Sequence, residues 1–457
     1  MSLFNRGIMG YLFSEIDSIS VKRLKRLQTE RLRRQIDRVW HQVPYYRKTL
    51  HESGIHPKDI RSPEDLFKLP FTKKIALRDN YPFALFAIPL KEVIRLHCSS
   101  GTTGKPIVVG YSKKDIKVFA EVVARSLWAA GCRPGMKLQN AYGYGLFTGG
   151  LGLHYGAEKL GMTVIPISGG ATEKQLMLLN DFKSDAICCT PSYALTLAEE
   201  LKKRQIDVLS LKLQYAVLGA EPWTESTRSS VQAALNVKAT NIYGLSEIIG
   251  PGVSQEDVDE RGTGSYIWED HFYPEIVDRN TGEPVKQGNA GVLVLTTLTK
   301  EAMPIFRYWT NDITFLYKDK HGKRNFIKMG PIAGRADDML IIRGINLFHT
   351  QVEAMLNGLT AFSQNYQLVV TKNRAHDEVE VKVEINSGLF NEYLKNLAAS
   401  EIMTSEKIVQ ACKMLEKKLK DNIGLSLNVK IEEPGTIPRS EGGKLNRILD
   451  LRQTQNG

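Results

Sequence analysis

Ser99-Ser100-Gly101-Thr102-Thr103-Gly104-Lys105-Pro106 follows a strand-like run at Val93–Leu96. The two glycines free the backbone of the Cβ constraint, so consecutive N–H groups can turn inward toward an anion. Hydroxyls at Ser99, Ser100, Thr102 and Thr103 add donors and Lys105 adds charge, a set suited to a polyphosphate. It is not a Walker A loop, because the glycine spacing is too short and Pro106 stands where Ser or Thr is required. Alone, the segment also reads as an ordinary turn.

Outward from it, β-rich runs at Ile107–Gly110, Thr163–Ile167, Ala186–Cys189 and Tyr215–Leu218 alternate with amphipathic helical patterns such as Lys114–Ala130 and Glu173–Asn180. Such alternation predicts an α/β protein whose sheets are covered by helices. Past Tyr266 the pattern turns β-rich, with turns at Asn280-Thr281-Gly282 and Gln287-Gly288-Asn289. A break near Gly334–Asp338 opens a second compact pattern: Met339–Ile342, a helix from Gln351, alternating Val379–Ile385, a charged helix over Glu406–Asn422, and Leu427–Glu432. The expected division is therefore 1–336 and 337–457, the latter an ordinary domain size.

The 457 residues and 42% hydrophobic content can fill more than one core, and 24% charged residues is too few for global disorder. No run approaches the ~20 apolar residues of a membrane span, and Ile8–Phe13 is short and lacks a signal-peptide cleavage pattern. A cytoplasmic enzyme is expected. Cys98, Cys132, Cys188, Cys189 and Cys412 are odd in number, scattered and without a CxxC pair, so they suggest neither a disulfide framework nor a zinc finger and read as reduced, mostly buried thiols. Net charge is +11. Much of the excess lies toward the ends, notably from Lys22 to Arg38, where Val21, Leu24, Leu27, Leu32, Ile36, Val39 and Trp40 recur at helical spacing. Residues 15–60 thus read mostly as helix, with an apolar stripe docked and a basic face solvated. No nucleic-acid motif accompanies it, so neither nucleic acid nor membrane is an expected partner.

Three further segments carry chemistry. Asn241-Ile242-Tyr243-Gly244-Leu245-Ser246-Glu247 places an aromatic face, a hydroxyl and a carboxylate together, able to stack on a base, bond a phosphate and hold Mg²⁺. Gly334-Arg335-Ala336-Asp337-Asp338 lies at the composition break, where an interdomain hinge belongs. Pro438–Arg447 has a Gly442-Gly443 tip that can present Lys444 away from its own core.

In this order, with Tyr308–Asp312 between, the segments resemble the adenylate-forming superfamily of acyl-CoA synthetases, adenylation domains and luciferases. Within it the chain resembles phenylacetate–CoA ligases, on Asn140–Gly150, Gly219-Ala220-Glu221-Pro222-Trp223, Tyr243–Gly252, Ile267–Ile276 and Thr296–Ala302. The resemblance implies a large N-terminal domain of stacked α/β subdomains plus a small mobile C-terminal α+β lid. It also implies ATP-dependent conversion of an aryl acid to an acyl-adenylate, then to a CoA thioester, with ATP, Mg²⁺ and CoA required.

By the same resemblance, Ser99, Ser100, Gly101, Thr102, Thr103, Gly104 and Lys105 hold the β- and γ-phosphates. Gly219, Ala220 and Glu221 line the adenine, Tyr243 stacks on it, and Gly244 lies beside it. Ser246 bonds the α-phosphate, Glu247 holds Mg²⁺, and Asp312 and Arg335 hold the ribose. Asp337 is the hinge, and Lys444 bridges the acid and the α-phosphate during adenylation. Tyr142, Tyr144 and Phe147 are expected around an aromatic acid. Relatives are often dimers, so a homodimer stays open.

Three departures stand out. The family's usual Tyr-Arg-Thr-Arg-Asp is Tyr308-Trp309-Thr310-Asn311-Asp312; cysteines of a common zinc site are missing near Gln255–Gly264 and Lys318–Arg324, so no zinc is expected; and His349 replaces a common Pro. These leave a second expectation open, adenylation with an amine or carrier-protein thiol as acceptor. A basic nucleic-acid-binding or membrane-associated protein with a degenerate ligase fold is disfavoured by Glu247, Asp312, Asp337 and Lys444.

Overall fold

The computed structural model describes residues 15–98, 106–336, 340–342, 345–373, 376–395, 397–439 and 446–452. Helix α1 (Val21–Gln42) is capped by Ser20, whose hydroxyl accepts from the Arg23 amide. It buries Leu24, Gln28, Leu32, Gln35, Ile36 and Val39, a stripe at near-helical period. Val21, expected in that stripe, is exposed in the first turn. Two glutamines sit in the buried face and send their amide N–H groups to distant carbonyls: Gln28 donates to the Glu269 carbonyl and Gln35 to the Lys300 carbonyl, while the Gln35 Oε1 is buried without a partner among the described residues. Arg31 and Arg38 reach Asp270 and Glu301. Part of the basic face is therefore spent on docking.

Strands β1 (Val93–Cys98) and β2 (Val108–Ser112) pair as an antiparallel hairpin around residues 99–107. Helix α2 (Lys113–Ala129) follows, with a capping box between Ser112 and Asp115. The chain then lays down β3 (Lys137–Asn140), α3 (Gly149–Leu160), β4 (Thr163–Ile165), β5 (Ala186–Cys189), α4 (Pro191–Lys203), β6 (Tyr215–Gly219), α5 (Glu225–Leu235), β7 (Lys238–Leu245), β8 (Gly250–Glu256) and β9 (Ser265–Ile267). The expected strand to Ile167 stops at Ile165, because Pro166 has no N–H to donate.

After β10 (Phe272–Val277), β11 (Gly291–Thr297), β12 (Tyr308–Thr314), β13 (Leu316–Tyr317), β14 (Lys328–Met329) and β15 (Gly334–Arg335), two sheets are complete. One has nine strands in the order β13-β14-β9-β8-β7-β6-β5-β3-β4. Its β4-β3-β5-β6-β7 portion is parallel, and the central strands β5 and β6 read as continuous apolar runs, as burial on both faces requires. The other is antiparallel, β10-β11-β12-β15. Buried charges fasten the N-terminal segment to this body: Arg125 on α2 bonds Asp17 at 2.9 Å and Asp270 at 3.0 Å. Burial alone would raise the Asp270 pKa, yet Arg125, His271 and Arg31 outweigh it and hold the carboxyl far below its usual range.

The C-terminal part contains β16 (Leu340–Ile342), β17 (Ile345–Leu347), α6 (His349–Leu356), β18 (Phe362–Asn373), β19 (His376–Ile385), α7 (Glu406–Ile423), β20 (Asn428–Glu432) and β21 (Ile448–Asp450). Its four-stranded sheet runs β20-β19-β18-β21, and Leu368, Val370, Val381, Leu415 and Leu419 build a core separate from the N-terminal clusters. The helix expected from Gln351 begins two residues earlier, at His349. Chain topology is thus α/β in the N-terminal domain and α+β in the C-terminal domain. Among the described residues, no helix is long and apolar enough to cross a membrane.

Candidate active site

The parallel strands all end toward one edge, and side chains at their C-terminal ends and following loops build the site, the usual place for ligands in such sheets. At the end of β6, Gly219 lies so close to β7 that a Cβ would sit 2.1 Å from the Ile242 carbonyl oxygen. Ala220 then takes φ +72°, left-handed backbone that costs an L-residue about 1 kcal/mol. Next to it, a Glu221 carboxylate oxygen accepts from the Ser192 amide (2.7 Å) in the first turn of α4.

Strand β7 delivers Tyr243, whose hydroxyl donates to Asp312 Oδ2 on β12 at 2.6 Å. Burial, then the Asp312 charge, push that phenol well above its ordinary pKa, so it stays a donor. Asp312 and Arg335 face each other across β12 and β15, with Arg335 Nη1 at 3.3 Å from Asp312 Oδ1. The structure thus joins Tyr243, Asp312 and Arg335, far apart in sequence. At Gly244 a Cβ would lie 1.8 Å from the Gly250 carbonyl oxygen, so the β7–β8 hairpin closes only over glycine.

The hairpin turn, Ser246–Ile249, carries the next two candidates. Ser246 Oγ lies 3.0 Å from Thr148 Oγ1, which ties the turn to the loop before α3. Glu247 is buried, and burial followed by the Glu247 charge pushes the neighbouring Tyr308 phenol well above its ordinary pKa. The Glu247 main-chain carbonyl accepts from Lys300 Nζ at 2.9 Å. Burial pushes Lys300 down to about 8, against the pull of the Asp115 and Glu247 charges. Thr148, Lys300 and Tyr308 were not singled out from sequence as site residues; their residue types carry no signal, and only tertiary packing brings them to the turn.

Asn140 organises the aromatic loop, donating to the Gly150 carbonyl and the Tyr144 hydroxyl, each at 2.8 Å. Tyr142 packs in the core, its hydroxyl donating to the Cys189 carbonyl at 2.6 Å. Tyr144 is half-buried, while Phe147 is 38% exposed. The next residue back, Leu146, accepts from the Cys98 amide (3.0 Å) and bonds His97 Nδ1 (2.9 Å), so the foot of the hairpin around residues 99–107 is fixed to this loop. Ser99–Lys105, Asp337 and Lys444 lie outside the described residues.

The departures near the ribose candidates form a unit. Asn311 adopts φ +68°, which Asn tolerates better than most residues, and accepts from Trp309 Nε1 at 2.7 Å. Trp309 stands edge-on to Phe71 and carries Lys73 Nζ 5.3 Å from its ring centroid. The two replaced charges are thus substituted by a mutually bonded pair.

A cleft of about 370 Å³ between the domains is lined by Ala220, Glu221, Trp223, Arg335, His349 and Arg447. Around its C-terminal wall, Glu353 on α6 accepts from Thr224 (2.9 Å) and Thr227, both at the start of α5, and from Tyr366 at 3.3 Å. His349 Nδ1 bonds Tyr366 Oη at 3.0 Å, and burial pushes His349 down to about 4. Arg439, bidentate on Glu384, also reaches Glu199 at 3.5 Å, and Asn446 anchors to Gln367 through its carbonyl. Both ends of the segment bearing Lys444 are therefore fixed. Among the described residues, no three His, Cys, Asp or Glu side chains converge to hold a metal. Mg²⁺ needs no such cage, since one carboxylate, substrate phosphates and water suffice, and Glu247 fits that role.

Residues 59–298 match the family model described as AMP-binding enzyme, and 344–452 match the AMP-binding enzyme C-terminal domain. A phenylacetate-coenzyme A ligase of Thermus thermophilus is 58% identical over 441 residues, covering 96% of this chain and 99% of the relative. The chain also superposes on 2-hydroxyisobutyryl-CoA ligase in the postadenylation state with 2-HIB-AMP, at 25% identity and TM-score 0.87, over 96% of this chain and 92% of that one. Against the same ligase with 2-HIB-AMP and CoA in the thioesterification state the TM-score is 0.69, at 25% identity over 97% and 94%.

Proposed function

Because the chain belongs to the AMP-binding enzyme family, among the phenylacetate–CoA ligases, we propose that it is an AMP-forming acid–CoA ligase acting on phenylacetate or a near aryl acid. In the first step a carboxylate oxygen attacks the ATP α-phosphorus, forming acyl-adenylate and releasing pyrophosphate. In the second the CoA thiol attacks the acyl carbon, forming the thioester and releasing AMP. A carboxylate is a poor electrophile until AMP gives it a leaving group, so the protein's work is positioning and charge neutralisation.

The observation that carries this reading is the bonded set Tyr243, Asp312 and Arg335 beside the turn that holds Ser246 and Glu247. On it, adenine packs between Tyr243 and Gly219–Glu221, with Gly244 alongside. The ribose hydroxyls meet Asp312 and Arg335. Ser246 bonds the α-phosphate, and Glu247 takes Mg²⁺, which neutralises charge on the phosphates. Residues 99–105 take the β- and γ-phosphates, and Lys444 bridges acid and α-phosphate. The acid's ring lies by Tyr144 and Phe147, with Tyr142 supporting the loop from the core. Rotation at Asp337 then removes Lys444 and opens a path for CoA. A cytoplasmic location and a homodimer accompany the reading; light scattering tests the latter.

The test is product identification by mass spectrometry with ATP, Mg²⁺, CoA and a panel of aryl and aliphatic acids. An aryl-CoA with equimolar AMP and pyrophosphate is expected. AMP and pyrophosphate formed without thioester, but with an added amine or carrier thiol acylated, would replace CoA as the acceptor.

A further inference from the structure

The Ser246–Ile249 turn is gripped from below by two side chains. Lys300 Nζ donates to the Glu247 carbonyl at 2.9 Å, and the Tyr111 hydroxyl donates to the Ile249 carbonyl at 2.9 Å. The ammonium also stands 5.1 Å from the Tyr111 ring centroid. Lys300 is 1% exposed. A lysine so buried is costly to a fold, and a methionine of similar length would fill the same space without charge. Here the charge is aimed at the backbone of the residue that presents the candidate metal carboxylate.

The segment bearing Lys300 is itself braced from two sides. Asp115, in the first turn of α2, accepts from the Glu301 amide at 2.5 Å and the Ala302 amide at 2.8 Å. Gln35 on α1 donates to the Lys300 carbonyl at 2.8 Å. Gln35 and Lys300 both fall outside residues 59–298 and 344–452, the stretches matched by the family models.

We infer that Lys300 is a positioning residue for Glu247, and that α1 reaches the metal–nucleotide site through Gln35 and Lys300. The inference rests on the reading that Glu247 takes the metal of the ATP complex. Fixing the Glu247 peptide fixes where its carboxylate can meet Mg²⁺, so loss of Lys300 falls on metal-dependent nucleotide binding and spares nucleotide binding without metal.

The experiment measures calorimetric binding of a non-hydrolysable ATP analogue with and without Mg²⁺, and of AMP without metal, in the full chain and in Lys300→Met, Gln35→Leu and Glu247→Gln. The expected result is a tenfold or greater loss of Mg²⁺-dependent analogue affinity in Lys300→Met. A smaller loss of about threefold is expected in Gln35→Leu, which acts through the Lys300 carbonyl, with AMP binding within twofold of the parent in both. If Lys300→Met does not fold, Gln35→Leu decides. Equal losses with and without Mg²⁺, or no change in either variant while Glu247→Gln loses the metal dependence, overturns the inference alone. Retention of the metal dependence in Glu247→Gln overturns the reading beneath it as well.

Discussion

Replacing Glu353 with alanine separates the two half-reactions. Glu353 is buried and accepts from Thr224 and Thr227 on the N-terminal domain and from Tyr366 in its own. His349, with its pKa near 4, is neutral at working pH, so hydroxyls rather than a cation satisfy the carboxylate. Hydrogen bonds to a charged group contribute about 1.5–3 kcal/mol each, but the threonines regain water when Glu353 is gone. A net loss of about 2 kcal/mol across the interface follows, or about 30-fold in the balance between domain orientations. The Tyr366 hydroxyl keeps its bond to the His349 carbonyl, so the C-terminal fold is retained. The arrangement seen here superposes better on a postadenylation state than on a thioesterification state. Single-turnover pyrophosphate release should therefore slow by about 10- to 30-fold, with thioester formation from supplied acyl-adenylate and CoA unchanged or faster. Equal slowing of both half-reactions, or adenylation at the parent rate, would refute the argument.

Lys444→Ala is expected to abolish adenylation while sparing thioester formation from supplied acyl-adenylate, read by the same two assays. Asn311→Arg, which restores the family's usual residue, should lower stability by about 2 kcal/mol in denaturant titration. About 1 comes from placing a side chain without asparagine's tolerance of positive φ at this position and about 1 from the lost indole bond; an unchanged midpoint would contradict this. Burial lifts the Glu269 carboxyl from its ordinary 4.5 to about 7. The folded chain then holds this proton more tightly than the unfolded one, so its stabilisation is complete below pH 4.5 and is lost by about pH 7. The loss is about 3 kcal/mol. Glu269→Gln keeps an acceptor for the Ile327 amide and should flatten the stability–pH curve over that window.

The sequence carried the fold wherever local periodicity sets burial. Ala186–Cys189 reads as a continuous apolar run and is a strand buried on both faces, and the long charged helix at Glu406–Ile423 buries only Ile408, Leu415, Leu419 and Ile423. What stayed hidden depends on contacts between distant segments. Gln28 and Gln35 look like surface residues on a basic helix until their carbonyl partners on another part of the chain are known. Lys300 and Glu353 likewise read as solvated charges, because burial of a charge is decided by partners that periodicity does not name. Tyr243, Asp312 and Arg335 could be proposed together from motif order, but the Asp312–Arg335 contact comes from the pairing of β12 with β15 and the Tyr243–Asp312 bond from the approach of one sheet to the other. Tyr142 shows the same dependence: the sequence places it among the residues around the acid, and the bond from its hydroxyl to the Cys189 carbonyl inside the core is set by packing that the sequence pattern does not name.

Adenylation of an aryl acid is the central claim, and acid-dependent exchange of labelled pyrophosphate into ATP, without CoA, tests it most directly. Phenylacetate or a close aryl acid should drive exchange in the presence of Mg²⁺, and CoA added to the same mixture should drain the adenylate into thioester and AMP. No exchange with any aryl acid, from enzyme that still binds ATP, would contradict the account.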